Sequence, residues 1–180
     1  MKLTQEQRKL FHSLVEKYPN HPKVGITFSD LSIMYTSPEA MKLMKQLIYE
    51  NIGPLNPDCV IGTDARGFIT GTIIADVLEI PLILARKAGK LPPCELISRK
   101  YKLEYGEAEL EMHKHIISKY NSPVISDDVL ATAGTARAIS EMIGDIGIKP
   151  NSYFFISEIV DLNGRDILKQ FGGQVFSIIK

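Results

Sequence analysis

Leu10, Phe11, Leu14 and Val15 recur at helical spacing, and the pattern predicts a first helix from about Thr4 to Lys17. Thr4 and Gln7 have capping-box spacing at its start. Tyr18-Pro19-Asn20-His21-Pro22 ends it, and an irregular stretch follows through Asp30. Ser37-Pro38-Glu39 opens a second helix, with Ser37 as cap and Pro38 at the first helical position. That helix runs to about Asn51 with Met41, Met44, Leu47 and Ile48 on its inner face. Beyond it, short apolar runs alternate with helical stretches. Strands are expected at Cys59–Ile61, Pro81–Ala85, Val124–Ser126, Tyr153–Ile159 and Val175–Ile179. Helices are expected at Phe68–Leu78, Thr135–Ile146 and Gly164–Phe171. Strands alternating with helices imply βαβ units and a parallel sheet, and unbroken apolar runs fit strands covered on both faces. Between the second and third strands lies a charged interval, Lys90 to Lys119, read as a loop followed by a hairpin around Tyr105-Gly106.

Composition narrows the class. At 180 residues with 44% hydrophobic and 23% charged, the chain is read as one globular domain. Lys plus Arg and Asp plus Glu number 21 each, so the basic excess of a duplex-binding protein is missing and no nucleic-acid partner is expected. The most apolar stretch, Phe68 to Ala85, is broken by Asp76, Glu79 and Pro81 and is too interrupted for a membrane span. The first residues lack a secretory pattern, and Cys59 and Cys94 fit neither a disulfide framework nor a zinc-ligand spacing. A reduced, cytoplasmic protein is expected.

In open parallel sheets ligands bind beyond the carboxyl ends of the strands. Three turns there carry chemistry. After the first sheet strand, Gly62-Thr63-Asp64-Ala65-Arg66-Gly67 leads into a helix, where backbone N–H groups and the Arg66 fork suit an anion. After the second, Arg86-Lys87-Ala88-Gly89-Lys90 concentrates positive charge. After the third, Asp127-Asp128-Val129-Leu130-Ala131-Thr132-Ala133-Gly134-Thr135 places two acids ahead of a small-residue turn that opens a helix, a phosphate cradle in form. Each also has an ordinary reading: a βα turn with a surface Arg, a solvated basic loop, and a helix cap behind two solvated acids. Neither a Walker loop nor a dinucleotide fingerprint occurs. An acid pair, a phosphate turn and two basic turns together suit a sugar with phosphate at one end and pyrophosphate at the other.

The run of an apolar strand, two acids and A-T-x-G-T resembles the phosphoribosyltransferase family, and within it the members that act on adenine. Tyr18 to Asp30 is similar to the opening segment F-P-x-F-P-x-P-G-I-x-F-x-D; Asp64-Ala-Arg-Gly-Phe and Arg86-Lys-Ala-Gly-Lys-Leu-Pro resemble its pyrophosphate loops. Tyr101 to Glu111 resembles its catalytic-loop region and Gly164-Arg165 a late G-R. The resemblance implies a Rossmann-like parallel-sheet domain over residues 1–180, with a hood of residues 1–35 and a mobile catalytic loop and hairpin at 90–119. It implies transfer of a 5-phosphoribosyl group from phosphoribosyl pyrophosphate to adenine, giving AMP and pyrophosphate, in a homodimer. Asp127 and Asp128 would bind the ribose hydroxyls on opposite faces, and Ala131, Thr132, Ala133, Gly134 and Thr135 the 5-phosphate. Asp64, Ala65 and Arg66 would line the pyrophosphate site, completed by Arg86, Lys87 and Lys90. Thr27 and Phe28 would hold the purine, with Val129 or Leu130 on a ring face. Glu104 would handle the proton of the base, Arg66 would act at the reacting centre and Tyr105 would shape the lid. Mg2+ would come with the substrate pyrophosphate rather than in a protein cage.

Some positions depart from the family pattern. Ala133 stands where glycine is usual, and is strained if its φ is positive. Ser29 replaces an Arg found near the base in some members, Val24 and Ile33 replace prolines, and Ser126 makes its strand unusually polar. His113 and His115, at i and i+2, are read as one face of a strand without a third ligand, so no metal is expected there. A 6-oxopurine substrate and a non-catalytic phosphoribosyl pyrophosphate sensor stay open as other readings.

Overall fold

The computed structural model describes every residue except 1, 2, 22, 26, 104 and 105, and only the backbone of 102, 103, 106 and 107. The first helix, α1 (Gln5–Ser13), is shorter than its apolar spacing predicts. Its capping box is formed, with Gln7 N–H donating to Thr4 Oγ1 at 3.2 Å and Thr4 N–H donating to Gln7 Oε1 at 2.9 Å. The chain then turns into β1 (Glu16–Pro19), which pairs antiparallel with β2 (Thr27–Asp30) where an irregular stretch was expected. Four residues each and rich in polar side chains, with β1 exposed and β2 mostly half-buried, leave too little periodicity to be read as strands. Helix α2 (Pro38–Asn51) begins as its sequence dictates, the Ser37 hydroxyl accepting from Ala40 N–H at 3.2 Å and Pro38 occupying the first turn.

The remainder is a seven-stranded sheet flanked by helices. Its strands are β3 (Cys59–Thr63), β4 (Leu82–Lys87), β5 (Leu96–Leu103), β6 (Gly106–His113), β7 (Pro123–Leu130), β8 (Ser152–Glu158) and β9 (Gln174–Ile179), in the order β5-β6-β4-β3-β7-β8-β9. From β4 through β9 neighbours run parallel; β5 and β6 form an antiparallel hairpin added at the β4 edge. The helices α3 (Gly67–Leu78), α4 (Lys114–Ile117), α5 (Gly134–Gly144) and α6 (Gly164–Lys169) complete the chain.

Strand alternation assigns the faces. Ile61, Ile125, Tyr153 and Phe155 pack with Ile139, Met142 and Ile143 of α5 and Leu168 of α6. Val60, Val124, Phe154 and Ile156 pack on the other side with Met44, Leu47 and Ile48 of α2, Ile74 of α3, and Phe11, Leu31 and Met34 from the N-terminal segment. Burial on both faces is why these strands read as unbroken apolar runs. The polar Ser126 is fully buried yet satisfied: its hydroxyl donates to Thr70 Oγ1 of α3 at 2.8 Å, and Thr70 donates on to the Gly67 carbonyl at 3.1 Å.

Candidate active site

The carboxyl ends of β3, β4 and β7 open onto one side of the sheet, and the candidate residues gather there. Strand β7 runs five residues further than its apolar run ends, wherefore the acid pair is part of the strand rather than of the turn after it. Adjacent positions then send the two carboxyl groups to opposite faces. Asp128 is buried and faces the N-terminal side, where its Oδ2 lies 2.7 Å from Arg66 Nε. Asp127 turns its Oδ1 back to accept from Asp128 N–H at 2.9 Å. Burial pushes the Asp127 carboxyl well above the usual carboxylate range, and the negative charge of Asp128 adds to it.

Two glycines permit this arrangement. A Cβ at Gly67 would lie 2.1 Å from Thr63 Oγ1, 2.7 Å from the Ser126 carbonyl and 3.0 Å from Asp127 Oδ1, so α3 can start against the acid-bearing strand only without a side chain. A Cβ at Gly164 would lie 2.2 Å from the Ala131 carbonyl and 3.1 Å from Ala133 N. The late Gly164-Arg165 pair therefore backs the turn at Ala131 and Ala133. Arg165 fixes that backing from behind, donating from Nε to Glu158 Oε1 at 2.8 Å and from an Nη to Ser177 Oγ at 2.9 Å.

The phosphate turn itself is a backbone device. Ala133 caps α5 in the left-handed region at φ 64°, ψ 10°, the strained alternative for an alanine, at a cost of about 1–2 kcal/mol relative to helical geometry. The first intrahelical bond runs from Arg137 N–H to the Ala133 carbonyl at 2.8 Å, so the N–H groups of Gly134, Thr135 and Ala136 have no acceptor within the helix. Gly134 lines a cleft of about 400 Å3 together with Thr132, Arg137, Lys100 and Tyr101 among others. Tyr101 of β5 lines the same cleft, and burial raises its phenol above the ordinary value. Lys100, Tyr101 and Arg137 were not among the residues singled out for this cleft. Tyr101 belongs to a motif already noted, and Arg137 sits one turn into the helix after the small-residue turn, the only local signal it carries.

Asp64, Arg86, Lys87 and Lys90 meet at the ends of β3 and β4. The Asp64–Ala65 peptide is cis. Asp64 Oδ2 accepts from Arg86 Nε at 3.4 Å and from Lys87 N–H at 3.5 Å. Arg86 also donates to the Lys90 carbonyl at 3.1 Å. Glu111 of β6 is buried and its Oε1 accepts from Lys90 N–H at 3.2 Å and Leu91 N–H at 3.0 Å, anchoring the basic turn. Alternation with Leu110 and Met112 puts Glu111 on a face of its own, and no local pattern singles out its two donors.

On the N-terminal side, the Arg66 guanidinium lies 5.3 Å from the centroid of Phe28, and His21 meets the same ring edge-on at 5.4 Å. Thr27 is exposed beside it on β2. Tyr35 adds a buried hydroxyl without a partner among the described residues, pushed up to about 12 by burial and by Asp128. Of the two apolar residues after the acids, Val129 packs toward this N-terminal cluster. Leu130 does not: it is buried in the opposite core, with its Cδ1 facing Gly164, and cannot cover a ring in the cleft. Strict alternation from Ile125 would have put Val129 in that core. Glu104 and Tyr105 lie outside the described residues.

An α/β sheet with an acid pair ahead of a phosphate cradle defines a class, and comparison with known proteins agrees. A family model for the phosphoribosyl transferase domain matches residues 32–153. The chain is 38% identical to an adenine phosphoribosyltransferase of Actinobacillus succinogenes over 174 residues, 97% of this chain and 96% of that one. Among solved structures it is similar to the APRTase of Giardia lamblia complexed with 9-deazaadenine, at a TM-score of 0.88 and 31% identity over 94% of each chain. It is similar also to the adenine phosphoribosyltransferase of Saccharomyces cerevisiae complexed with adenine and an imino-altritol bisphosphate, at 0.85 and 29% identity over 97% of this chain and 99% of that one. The protein belongs to the adenine phosphoribosyltransferase family and is a transferase.

Proposed function

We propose that this chain transfers the 5-phosphoribosyl group of phosphoribosyl pyrophosphate to adenine, releasing AMP and pyrophosphate in purine salvage. The observation that carries the reading is Arg66, which touches Phe28 on the base side and Asp128 on the ribose side while its own helix opens on the pyrophosphate side. Asp127 and Asp128 accept from the ribose hydroxyls, and the N–H groups of Gly134 and Thr135, with the Thr132 hydroxyl, hold the 5-phosphate. Phe28 and Val129 stack on the purine and the Thr27 backbone reads its edge. Adenine takes the ring face that Arg66 covers, freeing the guanidinium for the pyrophosphate. The C1–O bond to pyrophosphate breaks, the bond from C1 to N9 forms, and Glu104 takes the N9 proton. Arg86, Lys87 and Lys90 stabilise the departing charge. The single three-residue cluster of metal-ligating side chains among the described residues lies elsewhere, and Asp64 and Asp128 are paired with Arg86 and Arg66. That fits Mg2+ carried by the substrate phosphates, where it neutralises the leaving group.

Residues 1–35 serve as a hood over the base, and the segment 90–119, which includes Tyr105, as a lid excluding water. The working form is a homodimer in the cytoplasm; the exposed Lys87 and Lys90 side chains support reach toward a partner, and two free cysteines support a reducing compartment. No helix of the described residues is long and apolar enough to cross a membrane. The test offers adenine, hypoxanthine, guanine and xanthine with phosphoribosyl pyrophosphate and Mg2+ and follows nucleotide formation. AMP from adenine alone is expected, and product from a 6-oxopurine would overturn the specificity. Glu104→Gln is expected to lose most turnover with phosphoribosyl pyrophosphate binding nearly intact; turnover equal to the parent would remove Glu104 from the proton role.

A further inference from the structure

The charged interval before and after the hairpin brings together three side chains that the chain order separates. Strand β6 ends at His113, so His115 lies in the short turn of α4 rather than on a strand face with it. Their rings nevertheless stack, with centroids 5.4 Å apart and planes at 28°. Cys94, in the loop that follows the basic turn, supplies the third group: one ligand atom from each of Cys94, His113 and His115 lies within 4.8 Å of the others. Two bonds pin this meeting. Lys114 N–H donates to the Glu95 carbonyl at 2.9 Å, and Lys114 Nζ lies 2.7 Å from Glu95 Oε1. Leu96 pairs in register with His113, so Cys94 is carried to that end of the hairpin by the ladder itself. Nε2 of His113 is buried without a hydrogen-bond partner among the described residues, a polar atom whose burial is uncompensated.

We propose that Cys94, His113 and His115 form a site for a thiophilic divalent cation, Zn2+ by preference, which ties the loop after the basic turn to the end of β6. One thiolate and two imidazoles are borderline-soft donors that suit Zn2+ and exclude the hard Mg2+ or Ca2+. Tetrahedral bonds of the usual lengths need donor separations of about 3.3–3.8 Å, which rotation of the exposed Cys94 and His115 side chains supplies. Three protein ligands leave a fourth position for water, since two of the three residues are exposed. The site stands apart from the phosphoribosyl chemistry in its ligands and close to it in the chain: Glu111, which holds the basic turn, is two residues before His113.

The full-length protein, with Mg2+ present, is titrated with Co2+ and with Zn2+. Cys59 is fully buried and burial holds its thiol protonated, so a thiolate signal reports Cys94. One equivalent of Co2+ is expected to give a thiolate-to-cobalt charge-transfer band with the intense visible bands of a tetrahedral ion. Cys94→Ser is expected to abolish the charge-transfer band, and Cys94→Ser and His115→Ala each to weaken Zn2+ binding by more than about tenfold. Both residues are exposed, and unchanged circular dichroism is the control that these variants fold. Co2+ spectra without the charge-transfer band, or Zn2+ affinity in Cys94→Ser equal to that of the parent, would overturn the site.

Discussion

On the proposed reading the turn after β7 and the turn after β4 both take anionic groups, yet they are built on different principles. The first is held by backbone and packing: left-handed Ala133 caps α5, the first N–H groups of α5 have no acceptor within the helix, and Gly164 closes from behind with no room for a Cβ. The second is held by side-chain charge, with Arg86 on Asp64 and the backbone of Lys90 and Leu91 on Glu111. A rigid cradle suits the 5-phosphate, which stays on the product. A charged turn on movable side chains suits a group that must be released.

Substitution at Gly164 breaks the contrast most sharply. In Gly164→Ala the added carbon meets a backbone carbonyl, and overpacking of this kind costs about 1–3 kcal/mol. The KM for phosphoribosyl pyrophosphate is expected to rise more than about tenfold, with a lower Tm in the same variant. Unchanged KM would show that the turn does not depend on its backing.

Next in size is the pH dependence at the end of the same strand. On the proposed reading Asp127, raised by burial and by Asp128, accepts from a ribose hydroxyl in its ionised form. Affinity for phosphoribosyl pyrophosphate is expected to fall as pH drops below its raised value, approaching about tenfold per pH unit. The sign for stability of the unliganded protein is opposite. A carboxyl whose folded pKa lies above its unfolded value contributes most below the unfolded value, and that contribution is lost as pH rises through the folded one. Asp127→Asn should flatten both profiles, read by binding and by thermal melts across pH.

The basic turn is expected to yield a smaller effect. Glu111→Ala leaves two N–H groups without their acceptor, at about 1–3 kcal/mol of stability if they stay buried and less if the exposed turn reaches water. A rise in KM for phosphoribosyl pyrophosphate of roughly threefold to tenfold is expected, below that of Gly164→Ala. Glu111→Gln keeps an acceptor and should stay near the parent; equal loss in both would show that charge, not acceptance, anchors the turn.

The smallest change is Ala133→Gly. Relief of left-handed strain is worth about 1–2 kcal/mol, and the added freedom of the unfolded chain takes back about 0.4–1. A net gain of roughly 0.5–1 kcal/mol, or about 1–4 °C in Tm, is expected with 5-phosphate binding changed less than tenfold. A lower Tm would show that the alanine is not strained where it stands.

Much of this was legible from residues alone. Unbroken apolar runs marked the central parallel strands β3, β7 and β8 because both of their faces are covered, and Ser37-Pro38 marked a helix start because capping is local chemistry. The acid pair and the small-residue turn after it pointed to the proposed phosphate and ribose sites because phosphate recognition at a helix N-terminus needs little beyond the adjacent backbone. Other features depend on which distant segments meet. That Val129 rather than Leu130 turns toward the base side, that Ala133 has a positive φ, that Arg66 joins Phe28 to Asp128, and that Cys94 reaches two histidines are outcomes of register and packing. A side chain's type records what it can bind; which partner it meets across 19 or 62 residues, as for Cys94 and His113 or for Arg66 and Asp128, is settled only when the sheet brings those positions together.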